Sequence, residues 1–522
     1  MENGKFLIPA LSIVNFPFSI FQTMSEHFIS RDQAGSDLLS AAAFIAENIK
    51  SADGHAEAMK AIVLLYLAKD DVDLAAELAN GVGEPFSRDK LLILVAEKCA
   101  QADDDEYALQ LADAIEDHGL QAQAFERIAL EKASKGQLSE AREVGNSLVH
   151  PDFVHGGIAV KQAEDGDDAA ALATIDSIDF ASARVAALHE IASAKIESGN
   201  TAKAADLLDT AVQSAKDIEH DEEKIRALCD TGNLFIEAKR SDKAVETFDT
   251  ACKFAEVLDN IHRDFFFVNC ALGFLYAGSD ELADRTLDLV TDKTQMASAL
   301  LGFARESWKK GEKADAVETL DEAFEILKSQ REIETRDSRA RNGLIATIAV
   351  QFVGFGKTER GLEAAEENKD IDEQMGALSQ IAHILTIQKD DEMARQTLNM
   401  IPDDTGHLFA LISVADAKEK LGETDAAVAF LEEAATLAET VPQLGLRSDA
   451  LNEIAARFAD HGQTESARKF LLESLLVISE IRDESSQAAA LAGLSTIYGR
   501  VGIEIGDAER SIIGRILRKI GW

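Results

Sequence analysis

At 522 residues, 46% of them apolar and only six of them proline, the chain is long enough for several domains or one extended array, and too apolar to be disordered. Its 52 basic against 94 acidic side chains leave a formal charge of −42, which argues against a phosphate-backbone ligand such as nucleic acid. Four scattered cysteines, Cys99, Cys229, Cys252 and Cys270, fit reduced thiols in a cytoplasmic protein better than a disulfide or zinc framework.

The chain opens on an apolar segment, residues 1–36. Residues 6–24, FLIPALSIVNFPFSIFQTM, carry no charge, but Pro9, Asn15 and Pro17 interrupt a membrane helix. Three readings stand for residues 1–23: a cover for the exposed face of the first repeat, a membrane-associated segment, or an upstream start ahead of Met24.

Residues 37–502 are repetitive. IALEKASKGQLSEA (from Ile128), IASAKIESGNTAKA (from Ile191), VADAKEKLGETDAA (from Val414) and IAARFADHGQTESA (from Ile454) share one frame. An aliphatic residue precedes Ala, a turn residue follows seven later, and another Ala stands five beyond the turn. The frame places turns at Asp70, Asp103, Gly136, Gly166, Gly199, Lys239, Gly278, Gly311, Gly356, Lys389, Gly422, Gly462 and Gly502. Ala occupies the position seven before the turn in ten of these thirteen units, and a large apolar residue stands eleven before it in twelve. These sites make one face of a first helix, and Ala at plus five with Leu, Phe or Ile at plus nine makes the facing side of a second. The spacing predicts an all-α solenoid of about 12–13 antiparallel hairpins, in which no unit can bury its apolar face alone. Intervals of 33 or 40 residues differ by about two helical turns, so a pair can lengthen without rotating its buried face.

Enzyme-like motifs dissolve in this frame. VGFGKTERG (Val353–Gly361) carries Gly-Lys-Thr, but the glycine that a phosphate loop needs is Gln351, and a helix rather than a strand precedes it. Gly356 is a turn slot. His150, Asp152 and His155 offer too few ligands for zinc, and His155 fills a large-apolar site. His189 lacks the second histidine of a zinc-protease motif. No catalytic constellation emerges, and the reading is a non-enzyme without cofactor or metal.

Residues 503–522 end the chain on a basic amphipathic helix, with Arg510, Arg515, Arg518 and Lys519 against an apolar side of Ile512, Ile513, Ile516, Leu517 and Ile520. Such a helix can lie on an anionic membrane or close the final repeat.

The small residue, the turn seven later, Ala at plus five, and large-then-Ala pairs (Phe248 and Ala251, Leu320 and Ala323, Leu431 and Ala434) resemble the tetratricopeptide repeat family over about residues 55–500. Leu or Phe replaces the family's early Trp, and its central Tyr and closing Pro are mostly absent. The resemblance implies a right-handed superhelix whose inner groove, lined by first helices, holds a protein partner, and it implies no activity. In that frame the inward positions are 13, 10, 6, 3 and 2 before each turn, and they hold ten acids and seven bases over sixty-five sites. The surplus acid therefore belongs to the outer helices and loops. Units seven and eight stand out inside, with Phe265, Val268, Leu272, Leu275 and Tyr276, then Leu301, Arg305, Trp308 and Lys309. Rings and cations on a small-residue wall are a partner anchor or the filling of a tight interior. The functional expectation is a cytoplasmic interaction scaffold. The alternative is a peripheral membrane assembly factor held by its two apolar ends.

Overall fold

The computed structural model describes residues 28–330 and 338–520. Residues 1–23, and with them the choice between cap, membrane segment and upstream start, lie outside the described residues. Twenty-eight helices, α1 to α28 in chain order, and no strand occur among the described residues.

All thirteen turn slots adopt left-handed backbone, with φ between 60° and 89°. Nine hold glycine. At Asp70, Asp103, Lys239 and Lys389 an L side chain is held in that region, at a cost of about 1–2 kcal/mol each. The alanines seven before the turns are at most 2% exposed, because there the two helices of a pair touch. In the ninth unit Gly361 takes the plus-five place of Ala, and a Cβ there would meet the Ala349 carbonyl oxygen at 2.7 Å. Variation in unit length falls in the second helix. First helices keep 13 to 18 residues, whereas second helices have 8 to 10 in short units, as in Asp280–Leu287 and Thr358–Glu367, and 15 to 17 in long ones, as in Thr424–Ala438 and Lys313–Ser329.

Twelve consecutive pairs run from α3 (Ala52–Ala68) with α4 (Val72–Asn80) to α25 (Leu444–Asp460) with α26 (Thr464–Ile478). The thirteenth first helix, α27 (Glu484–Val501), finds its partner at the other end of the chain. Its second helix is α2 (Leu38–Glu47), and α3 lies beside it as the next first helix. The array is therefore a closed ring. Eight of the ten α2 residues are buried, among them Leu39, Ala41, Phe44 and Ile45. Ala41 and Ile45, four apart and fully buried, repeat the Ala-then-large step of the other second helices. The Ser485 hydroxyl donates to the Gly54 carbonyl oxygen at 3.1 Å across the seam. One apolar core runs through the seam, from Ala297 to Ile520 on one side and from Ile29 to Ile128 on the other.

The last helix, α28 (Asp507–Arg518), lies across α26, α2 and α1 (Arg31–Ser36). Its apolar side, Ile512, Ile513, Ile516 and Leu517, is buried there, and Arg31 Nη2 donates to the Leu517 carbonyl oxygen at 2.7 Å. Of its cations, Lys519 Nζ donates to the Ser479 carbonyl oxygen at 2.9 Å. The face that a bilayer would need is occupied by the ring. No helix among the described residues is long and apolar enough to cross a membrane.

Three of the seven short units share a device at their junctions. An Asp fourteen before the turn accepts from backbone N–H groups at the start of the next first helix, which lack intrahelical partners. Asp89 accepts from Glu116 and Asp117 at 3.1 and 2.9 Å, Asp152 from Asp179 and Phe180 at 2.9 and 3.4 Å, and Asp264 from Thr291 and Asp292 at 2.7 and 2.6 Å. Consecutive first helices pack against each other around the ring while consecutive second helices of the twelve pairs barely meet, so the first helices form the inner wall.

Candidate protein-binding wall

On the first helix of unit seven, α15 (Arg263–Tyr276), Phe265 and Tyr276 are 37% and 44% exposed. Val268 and Leu275 on the same helix, and Leu301 on the next first helix, α17 (Lys293–Lys310), are core residues and offer a partner no surface. Leu272 is half-buried and fills the seam between units, where a Cβ at Gly302 would come within 2.4 Å of its Cδ2. Trp308 is half-buried because it stacks on Phe355 of unit nine, with centroids 4.1 Å apart and planes 11° apart, while Lys313 Nζ lies 4.7 Å from its centroid. Lys309 lies 6.0 Å from the Tyr276 ring and 3.5 Å from Glu306. Arg305 is exposed, and its Nε donates to Gln351 Oε1 at 2.7 Å. Of the nine residues placed inward on units seven and eight, Phe265, Tyr276, Arg305 and Lys309 present open surface.

Arg305 also edges a cleft of about 330 Å³ that continues the wall into units nine and ten. Its sides are Thr347, Val350 and Gln351 on α19 (Ser338–Gly354) and Glu373, Gln380 and Ile384 on α21 (Ile371–Ile387). Three glycines, Gly343, Gly354 and Gly376, line it above the buried Ala346 and Ala377. A Cβ at Gly376 would meet nothing within 4 Å, so the cleft is open there rather than tightly packed. The sequence frame missed this cleft, although the signal was present: Gly343 and Gly376 both stand thirteen before their turns and Gly354 two before, all inward sites. The frame searched for large side chains, and a cleft is written in missing ones.

Two acids on the wall, Asp230 and Asp449, are accessible to water yet surrounded by protein, and desolvation raises both above the usual carboxylate range. Elsewhere the tempting motifs are structural. Gly356 has φ 74°, its N–H donates to the Val353 carbonyl at 2.9 Å, and the Lys357 N–H donates to the Phe352 carbonyl at 2.8 Å, which closes α19 before the next helix begins at Thr358. His155 Nε2 lies 3.3 Å from Asn146 Oδ1, and burial lowers its pKa. His189 Nε2 lies 2.7 Å from Thr231 Oγ1, and burial takes it down to about 4. Among the described residues no group of three or more His, Cys, Asp or Glu has the geometry of a metal site. All four cysteines are buried thiols.

A family model, the tetratricopeptide repeat, matches residues 410–440, most of unit eleven. That match falls on the frame shared by all thirteen units. The array is tetratricopeptide-like. No curated protein matches the chain. Among solved structures, Ton1535 from Thermococcus onnurineus NA1 is 17% identical, with 67% of this chain and 97% of that one covered and a TM-score of 0.26. The apo form of the quorum sensor NprR from B. thuringiensis is 12% identical, with 69% and 100% covered and a TM-score of 0.25. The Naa15/Naa10 structure bound to HypK-THB gives 13% identity, coverage of 93% and 95%, and a TM-score of 0.26.

Proposed function

We propose that this tetratricopeptide-like ring is a non-enzymatic scaffold that holds a segment of a partner protein on its inner wall, across units seven to ten. One observation carries the reading: the exposed rings and cations of units seven and eight and the glycine-lined cleft of units nine and ten share one residue, Arg305. Together they make a continuous strip with aromatic anchors at one end and room for backbone at the other. The anchors supply affinity through buried area, and the cleft supplies shape. A cytoplasmic setting suits its four buried thiols.

The test is a paired substitution. Tyr276→Ala with Arg305→Ala removes exposed side chains for the loss of one surface hydrogen bond, Arg305 to Gln351, so affinity for a partner captured by the intact protein should fall at least about tenfold at a nearly unchanged melting temperature. Trp308→Ala is the weaker probe, because it also unstacks Phe355 and loosens the junction of units eight and nine. Partner binding that survives the double substitution sinks the proposal.

A further inference from the structure

The chemistry of that segment can be read from how the wall's arginines are paired. Five arginines stand between thirteen and two residues before the turns: Arg127, Arg226, Arg305, Arg457 and Arg500. Three are clamped by carboxylates of a neighbouring unit. Arg127 bonds Glu97, Arg457 takes both oxygens of Asp416 at 2.7 and 2.9 Å, and Arg500 meets Asp460 at 2.8 Å. The other two make no ion pair among the described residues, in a chain with 94 acids. Arg305 spends only its Nε, on the neutral amide of Gln351. Arg226 lies 6.0 Å from the rings of Phe265 and Phe266 and makes no hydrogen bond among the described residues. Asp230, one helical turn along, feels its charge without an ion pair, and Asp221, Glu222 and Glu223 line the same surface hollow as Arg226.

Resting on the inner-wall reading above, we infer that the bound segment is acidic, with carboxylate side chains that meet Arg226 and Arg305. An exposed guanidinium is ready for bidentate bonds to a carboxylate, and its weak hydration makes it the cheaper cation to desolvate. Arg226 lies by the exposed ring of Phe265 and Arg305 stands on the first helix that follows Tyr276, while the clamped three stand in units three, twelve and thirteen. At the inward sites of units six to ten Arg226, Arg305 and Lys309 stand against one acid, Glu237, so the chain's surplus acid does not extend to these sites of the wall. The two arginines are two units apart, about 20 Å at ordinary helix packing distances, and seven residues apart along their helices, about 10 Å. An extended chain covers that separation in about six or seven residues, which sets the spacing of its acids.

A displayed library of random peptides of about 14 residues, long enough to span both arginines, tests this without a known partner. Peptides retained by the intact protein are compared with those retained by an Arg226→Gln, Arg305→Gln variant of unchanged melting temperature. The expected result is enrichment of paired Asp or Glu six or seven apart, with affinity at least tenfold weaker on the variant and weaker in high salt. Retained peptides without acid enrichment that are lost on Phe265→Ala, Tyr276→Ala would leave the inner-wall reading standing and overturn the inference. Retained peptides indifferent to all four substitutions, or none retained at all, overturn both.

Discussion

The seam where the two ends of the chain meet and the arc through units three and four make opposite use of connectivity. At the seam, no peptide bond joins α2 to α27, yet Leu39, Phe44 and Ile45 pack into a core that continues through both neighbours. In unit three, where the chain is continuous through His118–Ser134 and Leu138–Asn146, the buried apolar side chains are Ala124, Ile128, Ala129, Ala133 and Ala141. The main core ends there at Ile128, and the rest of units three to five carries two small cores separate from it. The arc also holds Gly145, Gly156 and Gly157 inside helices, and Gln137 Oε1 is buried without a partner. A fully buried Leu, Ile or Phe contributes about 1.5–3 kcal/mol, against about 0.8 for the single methyl of Ala. Apolar burial, not covalent continuity, decides where this ring is firm, and its natural opening point is the arc.

The largest effect should come from a charge in the seam. Ile45→Asp places an unpaired carboxylate at a fully buried site, and denaturant unfolding should show a loss of about 4 kcal/mol or more. Small-angle scattering of that variant should show an expanded, opened array; a ring that keeps its dimensions would contradict closure by α2. Hydrogen exchange sharpens the comparison next. Amides of residues 118–146 should lose protection before those of α2 and α27, which should open only with the whole ring. Earlier exchange at α2 would reverse the ranking.

Two glycines give a finer contrast. A Cβ at Gly157 would come within 2.5 Å of Leu130 Cδ2, so Gly157→Ala should destabilise the arc by about 1–3 kcal/mol. Gly376→Ala, in an open cleft and a helix interior, should instead stabilise by about 0.5–1 kcal/mol. Thermal melts of both variants check the sign. The smallest effect concerns wall acids. Burial raises the pKa of Glu126 in the arc and of Asp449 near the seam, so the folded state binds protons more readily than the unfolded one. Each therefore costs stability above its raised pKa, and that cost is relieved as pH falls through it. Glu126→Gln and Asp449→Asn should each melt slightly higher at neutral pH, with the gain vanishing in acid; a gain constant with pH would refute the cause.

Much of the hairpin was legible because it is local. Thirteen turn slots were marked by Gly, Asp or Lys at fixed distance from Ala, and backbone sterics place a left-handed residue at each. The exposed surface of units seven and eight was half legible: periodicity put Phe265, Tyr276, Arg305 and Lys309 inward, but the same periodicity put Val268 and Leu301 there, and packing between neighbouring units buried them. Trp308 divides between the two, since Phe355, forty-seven residues on, takes one face of its ring.

What the sequence determined by itself was the repeating unit, since its turn and its small-residue face need only neighbours a few residues away. What only the tertiary structure decided was closure. Whether thirteen hairpins end as an open superhelix or a ring depends on the small rotation from each unit to the next, summed around the array. Second helices of 8 to 17 residues and the bonds of Asp89, Asp152 and Asp264 set that rotation. No window of sequence contains the sum, so α2 and α27, more than four hundred residues apart, reveal their pairing only in space.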